Sequence, residues 1–148
     1  MSDSIQHECG IALIRLKKPI QYFIDNYGSA FYGVNKLHLL MEKQHNRGQD
    51  GAGVANIKLD MRPGERYISR VRSVQKAPIQ DIFDQINLKF KDLYDANPDS
   101  IQDVDFLKRN VGFTGELFLG HLRYGTFGRN SKESCHPFLR QNNWITRN

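Results

Sequence analysis

Cys9 stands after a short polar stretch and is followed at once by Gly10 and the apolar run 11–14. On position alone, a small buried residue at a strand end accounts for it, since free cysteine is among the most buried side chains. The chemical alternative is that residues 1–8 form a leader that is removed, so that Cys9 becomes the N-terminus. One residue then carries both a thiol and an α-amine. An N-terminal amine titrates at about 7.7–8.0, close to the working pH of a general base, and thiols need little help to become thiolates. Nucleophile and base would be one residue. Gly10 beside it would let a substrate approach the backbone.

Two further segments place polar residues among glycines. Residues 47–53 read RGQDGAG, with three glycines in seven positions. A helix end followed by a tight turn explains the glycines, but not Arg47, Gln49 and Asp50 between them, which could brace a site by ion pairs and hydrogen bonds. The Lys-Ser/Thr ending of a phosphate loop is missing. Residues 120–128 read GHLRYGTFG, a strand ending in Arg123 with Thr126 three positions on. An arginine fork binds a carboxylate bidentately, and a threonine hydroxyl adds one more hydrogen bond, which suits a substrate bearing an α-carboxylate. A surface arginine at a strand end is the plainer alternative. His121 is taken as structural. Cys135 and His136 are adjacent, so on a strand they would point to opposite faces and could not form a dyad. Two cysteines and five histidines show no metal-ligand spacing.

The elements that must carry these residues follow from periodicity. Strands are expected over 9–16, 54–59, 66–73 and 118–126. Residues 18–28, with Pro19 and Gly28, predict a loop containing at most a helical turn. Residues 29–44 predict a helix on Val34, Leu37, Leu40 and Met41. Residues 47–53 predict a turn. Ile79, Ile82, Phe83, Ile86, Phe90 and Leu93 mark a strong amphipathic helix, ended by Asn97-Pro98. Ser100 followed by Asp103 would cap a short helix running through Leu107. Trp144 and Ile145 look like the start of a strand with no turn after it, so the chain is expected to be the N-terminal piece of something longer. Strands alternating with helices predict a mixed fold of helices and sheet.

Composition bounds the rest. The chain has 148 residues, 39% of them hydrophobic, which suits one globular domain with a core. No apolar run reaches the roughly 18 residues of a membrane span, and the polar N-terminus lacks a secretory h-region. Two cysteines make no disulfide framework. These features predict a protein of a reducing, cytoplasmic compartment with no membrane partner. The net charge of +5 comes from interspersed residues, with only short clusters at 17–18 and 70–72. A solvated surface explains them better than a nucleic-acid groove.

Together Glu8-Cys9-Gly10-Ile11, RGQDGAG at 47–53 and GHLRYGTFG at 120–128 resemble the N-terminal-nucleophile, or class II, glutamine amidotransferases. Gln49 and the Glu8-Cys9-Gly10 junction are most similar to the amidophosphoribosyltransferase branch. The sugar-phosphate aminotransferase branch usually has Tyr at the position of Gln49. The resemblance spans residues 8–148, with an unusually long segment between 60 and 115 read as a helical insertion. It implies an α+β fold, an α-β-β-α sandwich of two antiparallel sheets cut short at its C-terminus, with 1–8 as leader and 9–148 as the N-terminal part of the amidotransferase domain. It implies Cys9 as nucleophile, Arg123 and Thr126 as glutamine-binding residues, and Arg47, Asp50 and Gly10 as support. Glutamine would be hydrolysed through a γ-glutamyl thioester, and the ammonia passed to a phosphoribosyltransferase domain absent from this chain. The longer protein would use magnesium, could carry an iron–sulfur cluster, and would be a homo-oligomer; no cofactor or metal is expected in this chain.

The departures matter as well. The family has Ser where Gly51 and Gly125 stand. Its oxyanion-hole Asn-Gly pair is expected downstream, and no Asn-Gly occurs here. Loss of one such donor costs about 10²–10³ in turnover, so the chain alone is expected to have little activity, and exposed strand edges are expected to invite aggregation. Two other readings stay open: a class II amidotransferase with another ammonia acceptor, and a non-catalytic basic binding module.

Overall fold

The computed structural model describes residues 8–125 and 130–139. Thr126, Trp144 and Ile145, and residues 1–7 of the expected leader, lie outside these described residues. The fold is α+β: four helices and one four-stranded antiparallel sheet in the order β1-β4-β2-β3. The strands are β1 (Gly10–Arg15), β2 (Gly51–Ile57), β3 (Ile68–Ser73) and β4 (Leu117–Arg123). The helices are α1 (Ile20–Tyr27), α2 (Tyr32–Glu42), α3 (Pro78–Ala96) and α4 (Val104–Asn110). No second sheet is found among the described residues.

Register divides the sheet into two unlike faces. Ala12, Gly120, Val54 and Val71 lie in one row across the four strands, and Ile14, Phe118, Asn56 and Ser69 in the next. This face receives α2 through Val34, Leu37 and Met41 and α3 through Ile79, Ile82, Phe83 and Ile86, and the core lies between them. Burying each large apolar side chain is worth about 1.5–3 kcal/mol, so these two helix stripes hold the layer in place. The other face presents Ile11, His121, Gly53 and Arg72 in one row and Leu13, Leu119, Ala55 and Arg70 in the next. No helix among the described residues covers Ile11 or Leu13 there, and each is 65% exposed. Across its middle runs a strap, residues 131–138, with the His136 carbonyl over Gly53 and the His136 ring against His121.

Three local expectations are corrected. Residues 20–27 form a full helix: Pro19 is its N-cap and Gly28, at φ 70°, its left-handed C-cap, so the two residues bracket the helix. Gly51 and Gly53 belong to β2, so only the first part of 47–53 is a turn. Asp103 caps α4, its carboxylate accepting the Phe106 N–H at 2.9 Å, while the Ser100 hydroxyl donates to the Asn97 carbonyl. At the far end of the sheet, Lys108 joins the segment to the strands. Its amine pairs with Glu116 at 2.6 Å and donates to the Leu59 carbonyl, while Glu116 accepts the Leu59 N–H at 2.8 Å.

Candidate active site

The centre of the sheet opens towards one end, where β4 finishes, β2 begins and β1 begins. Pairing Gly10 with Leu122, and Gly51 with Arg123, brings the three glycine-flanked segments to this end. Cys9 is exposed at this end. Its Sγ accepts the Tyr124 N–H at 3.4 Å and lies 3.9 Å from the Tyr124 carbonyl. Cys9 is joined to Glu8, so in this chain its nitrogen is a peptide nitrogen.

The turn before β2 is fastened to the same strand end. Asp50 donates its N–H to the Arg123 carbonyl at 3.1 Å, and its carboxylate accepts the Gly125 N–H at 2.7 Å. Gly48 presses on this place: a Cβ there would come within 2.7 Å of the Arg123 carbonyl carbon, which is backbone and cannot yield. That close approach is why the turn needs glycine at 48. Arg123 is almost wholly buried, and its guanidinium donates to Asn130 Oδ1 at 2.9 Å. A Cβ on Gly125 would lie 3.1 Å from that guanidinium and 3.3 Å from the Asp50 carboxylate, so both charged groups crowd one point.

Cys9, Gly10, Asp50 and Arg123 are therefore brought together. Arg47 ends a short 3₁₀ turn beside β4, is exposed, and its side chain bonds to none of the described residues. Thr126 lies outside the described residues. Asn130 is a partner that no spacing in the sequence announces, and Tyr124 acts through its main chain, which sequence patterns do not show. His121 is buried beside His136, and burial, then His136 and Arg123, push its imidazole below the usual range. Cys135 is fully buried, with burial pushing its thiol up, which makes it a poor nucleophile. Among the described residues no three of His, Cys, Asp and Glu gather as metal ligands. No helix among them is long and apolar enough to cross a membrane. No known protein family, curated protein or solved structure matches the chain.

Proposed function

We propose that this chain carries the glutamine-hydrolysing site of a class II glutamine amidotransferase, of the branch that makes phosphoribosylamine from phosphoribosyl diphosphate. One observation carries the reading. Three segments far apart in sequence meet at one end of the sheet, with the Cys9 sulfur against the strand end that bears Arg123 and is fastened by Asp50. The uncovered Ile11 and Leu13 support the two-sheet sandwich, because a second sheet needs an apolar face to pack on.

After removal of residues 1–8, the free α-amine of Cys9 takes the thiol proton and the sulfur attacks the side-chain amide carbon of glutamine. Collapse of the tetrahedral adduct breaks the C–N bond, the proton leaves with ammonia, and a γ-glutamyl thioester remains. The same amine then deprotonates water, whose oxygen displaces sulfur and yields glutamate. Arg123 holds the substrate α-carboxylate as a bidentate fork, and Asp50 keeps the strand end in register. Thr126 adds a hydrogen bond to the substrate. A class II enzyme with another ammonia acceptor would use the same site.

The test is made on the full gene product. A glutamine-like diazoketone should label one thiol, on a peptide beginning at Cys9, while buried Cys135 stays unlabelled. Cys9→Ala should lower glutamine hydrolysis by on the order of 10³-fold or more. A fully active protein that still begins at Met1 or Ser2, or label on Cys135, overturns the proposal.

A further inference from the structure

The outer edge of β3 bounds a pocket of about 290 Å³ on the other side of the strap from Cys9. Its walls bring Arg70 and Arg72 from β3, Lys89 and Gln85 from α3, and Lys132 from the short turn 132–134, and no Asp or Glu lines it. Glu133, next to Lys132 in sequence, is the acid that comes nearest. Its own backbone N–H and the Ser131 side chain, and then the charges of Arg72 and Lys132, hold its carboxyl below the usual range, yet it does not line the pocket.

The two arginines lie two residues apart on one strand, so they repel. Burial, and then Arg72, lowers the pKa of Arg70, which is the mark of a cation lacking a counter-charge. Each is steadied by the strap: Arg70 donates to the Pro137 carbonyl at 3.3 Å and Arg72 to the Cys135 carbonyl at 3.0 Å. A guanidinium has five N–H donors, so most remain for a ligand. Phe113, which also lines the pocket, holds φ at 63°, a conformation uncommon for a bulky residue. A merely solvated basic face would spread its charges. Here cations from three separate segments close on one small volume, at the low end of the roughly 300–1,000 Å³ of ligand pockets.

We propose that this pocket binds a small molecule bearing a terminal phosphoryl or diphosphoryl group, held by Arg70, Arg72, Lys89 and Lys132. The arginine forks match phosphate oxygens two at a time, and the lysines act as point charges. The volume suits a compact head group; a nucleic-acid strand would need a stripe of cations instead. The site is independent of the glutamine reading, since it shares no residue with it.

Calorimetric titration of the intact chain with inorganic pyrophosphate and with phenyl phosphate, at constant ionic strength, tests this. Both should bind saturably at one site, and phenol should not bind. Lys89→Glu, on the exposed side of α3, should weaken both by about tenfold or more, since it replaces an attractive charge with a repulsive one. Arg70→Gln should do likewise. Arg109→Gln, on α4 and paired with Asp105, should leave affinity within twofold. Urea denaturation of each variant confirms that it folds; Arg72 is left intact because it anchors the strap. Absence of saturable binding, an affinity indifferent to Lys89→Glu, or tighter binding of a single-stranded RNA than of either phosphate overturns the proposal.

Discussion

Gly51 shows how one residue fixes another across the sheet. A Cβ at this position would approach Cys135 Sγ to 2.6 Å and the Ser73 carbonyl to 3.2 Å. The Cys135 thiol takes the space a side chain would need, and the thiol is fully buried. Gly51→Ser should therefore destabilise the fold by about 1–3 kcal/mol, the usual cost of overpacking. Cys135→Ala should remove part of that cost, because it empties the volume the new side chain needs. A double-mutant cycle by urea denaturation should give a coupling of about 1 kcal/mol or more. Strict additivity would mean that the thiol and residue 51 do not contend for the same space.

At the scale of elements, β4 is the organiser: it pairs with both β1 and β2, and its residues alternate between the helix-packed core and the strapped face. His121 is on the strapped face, buried against His136, and its Nδ1 finds no hydrogen-bond partner among the described residues. Its folded pKa is depressed by burial first, then by His136 and Arg123. An unfolded imidazole takes its proton at about 6.5, so below that pH the unfolded chain binds more protons. The stability that the neutral ring contributes is complete above about pH 6.5 and is lost as pH falls towards the lower folded value. The urea midpoint should thus drop between pH 7.5 and 5.5, and His121→Leu should flatten that slope. A slope unchanged in the variant would place its origin in another group. The periodic elements were legible in sequence: the α3 stripe of Ile79, Ile82, Phe83, Ile86 and Phe90 is the buried face of that helix. So were Cys9, Asp50 and Arg123 as neighbours. What was not legible depends on distant partners. The strand character of Gly51 and Gly53 is set by pairing with β4 and β3, and the strap's thiol and carbonyl exclude side chains there. The buried Lys108–Glu116 pair clamps Leu59, some fifty residues away, and a charge pattern along the chain cannot reveal it. The same end buries Lys58, whose amine donates to the Lys108 carbonyl and whose pKa falls to about 8, chiefly through burial.

For the molecule as a whole, the unlike faces of the sheet make the decisive contrast. Helices α2 and α3 cover one side, while the other has the narrow strap and, beyond it on β1, Ile11 and Leu13 at 65% exposure each. Two neighbouring large apolar side chains on an open sheet face favour association, since water leaves them when any apolar surface arrives. Ile11→Thr combined with Leu13→Thr places β-branched residues suited to a strand at both positions and removes most of the apolar area. In the 148-residue chain this pair should reduce dye binding and self-association, with a stability change within about 0.5 kcal/mol, as for exposed sites generally. In the full gene product the proposed sandwich would bury both residues beneath its second sheet, and there the same pair should cost about 1.5–3 kcal/mol per side chain. Opposite outcomes from one substitution separate the open face from the covered one. A large loss in the 148-residue chain would show that its own residues already cover β1, and no loss in the full product would remove the second sheet from the proposal.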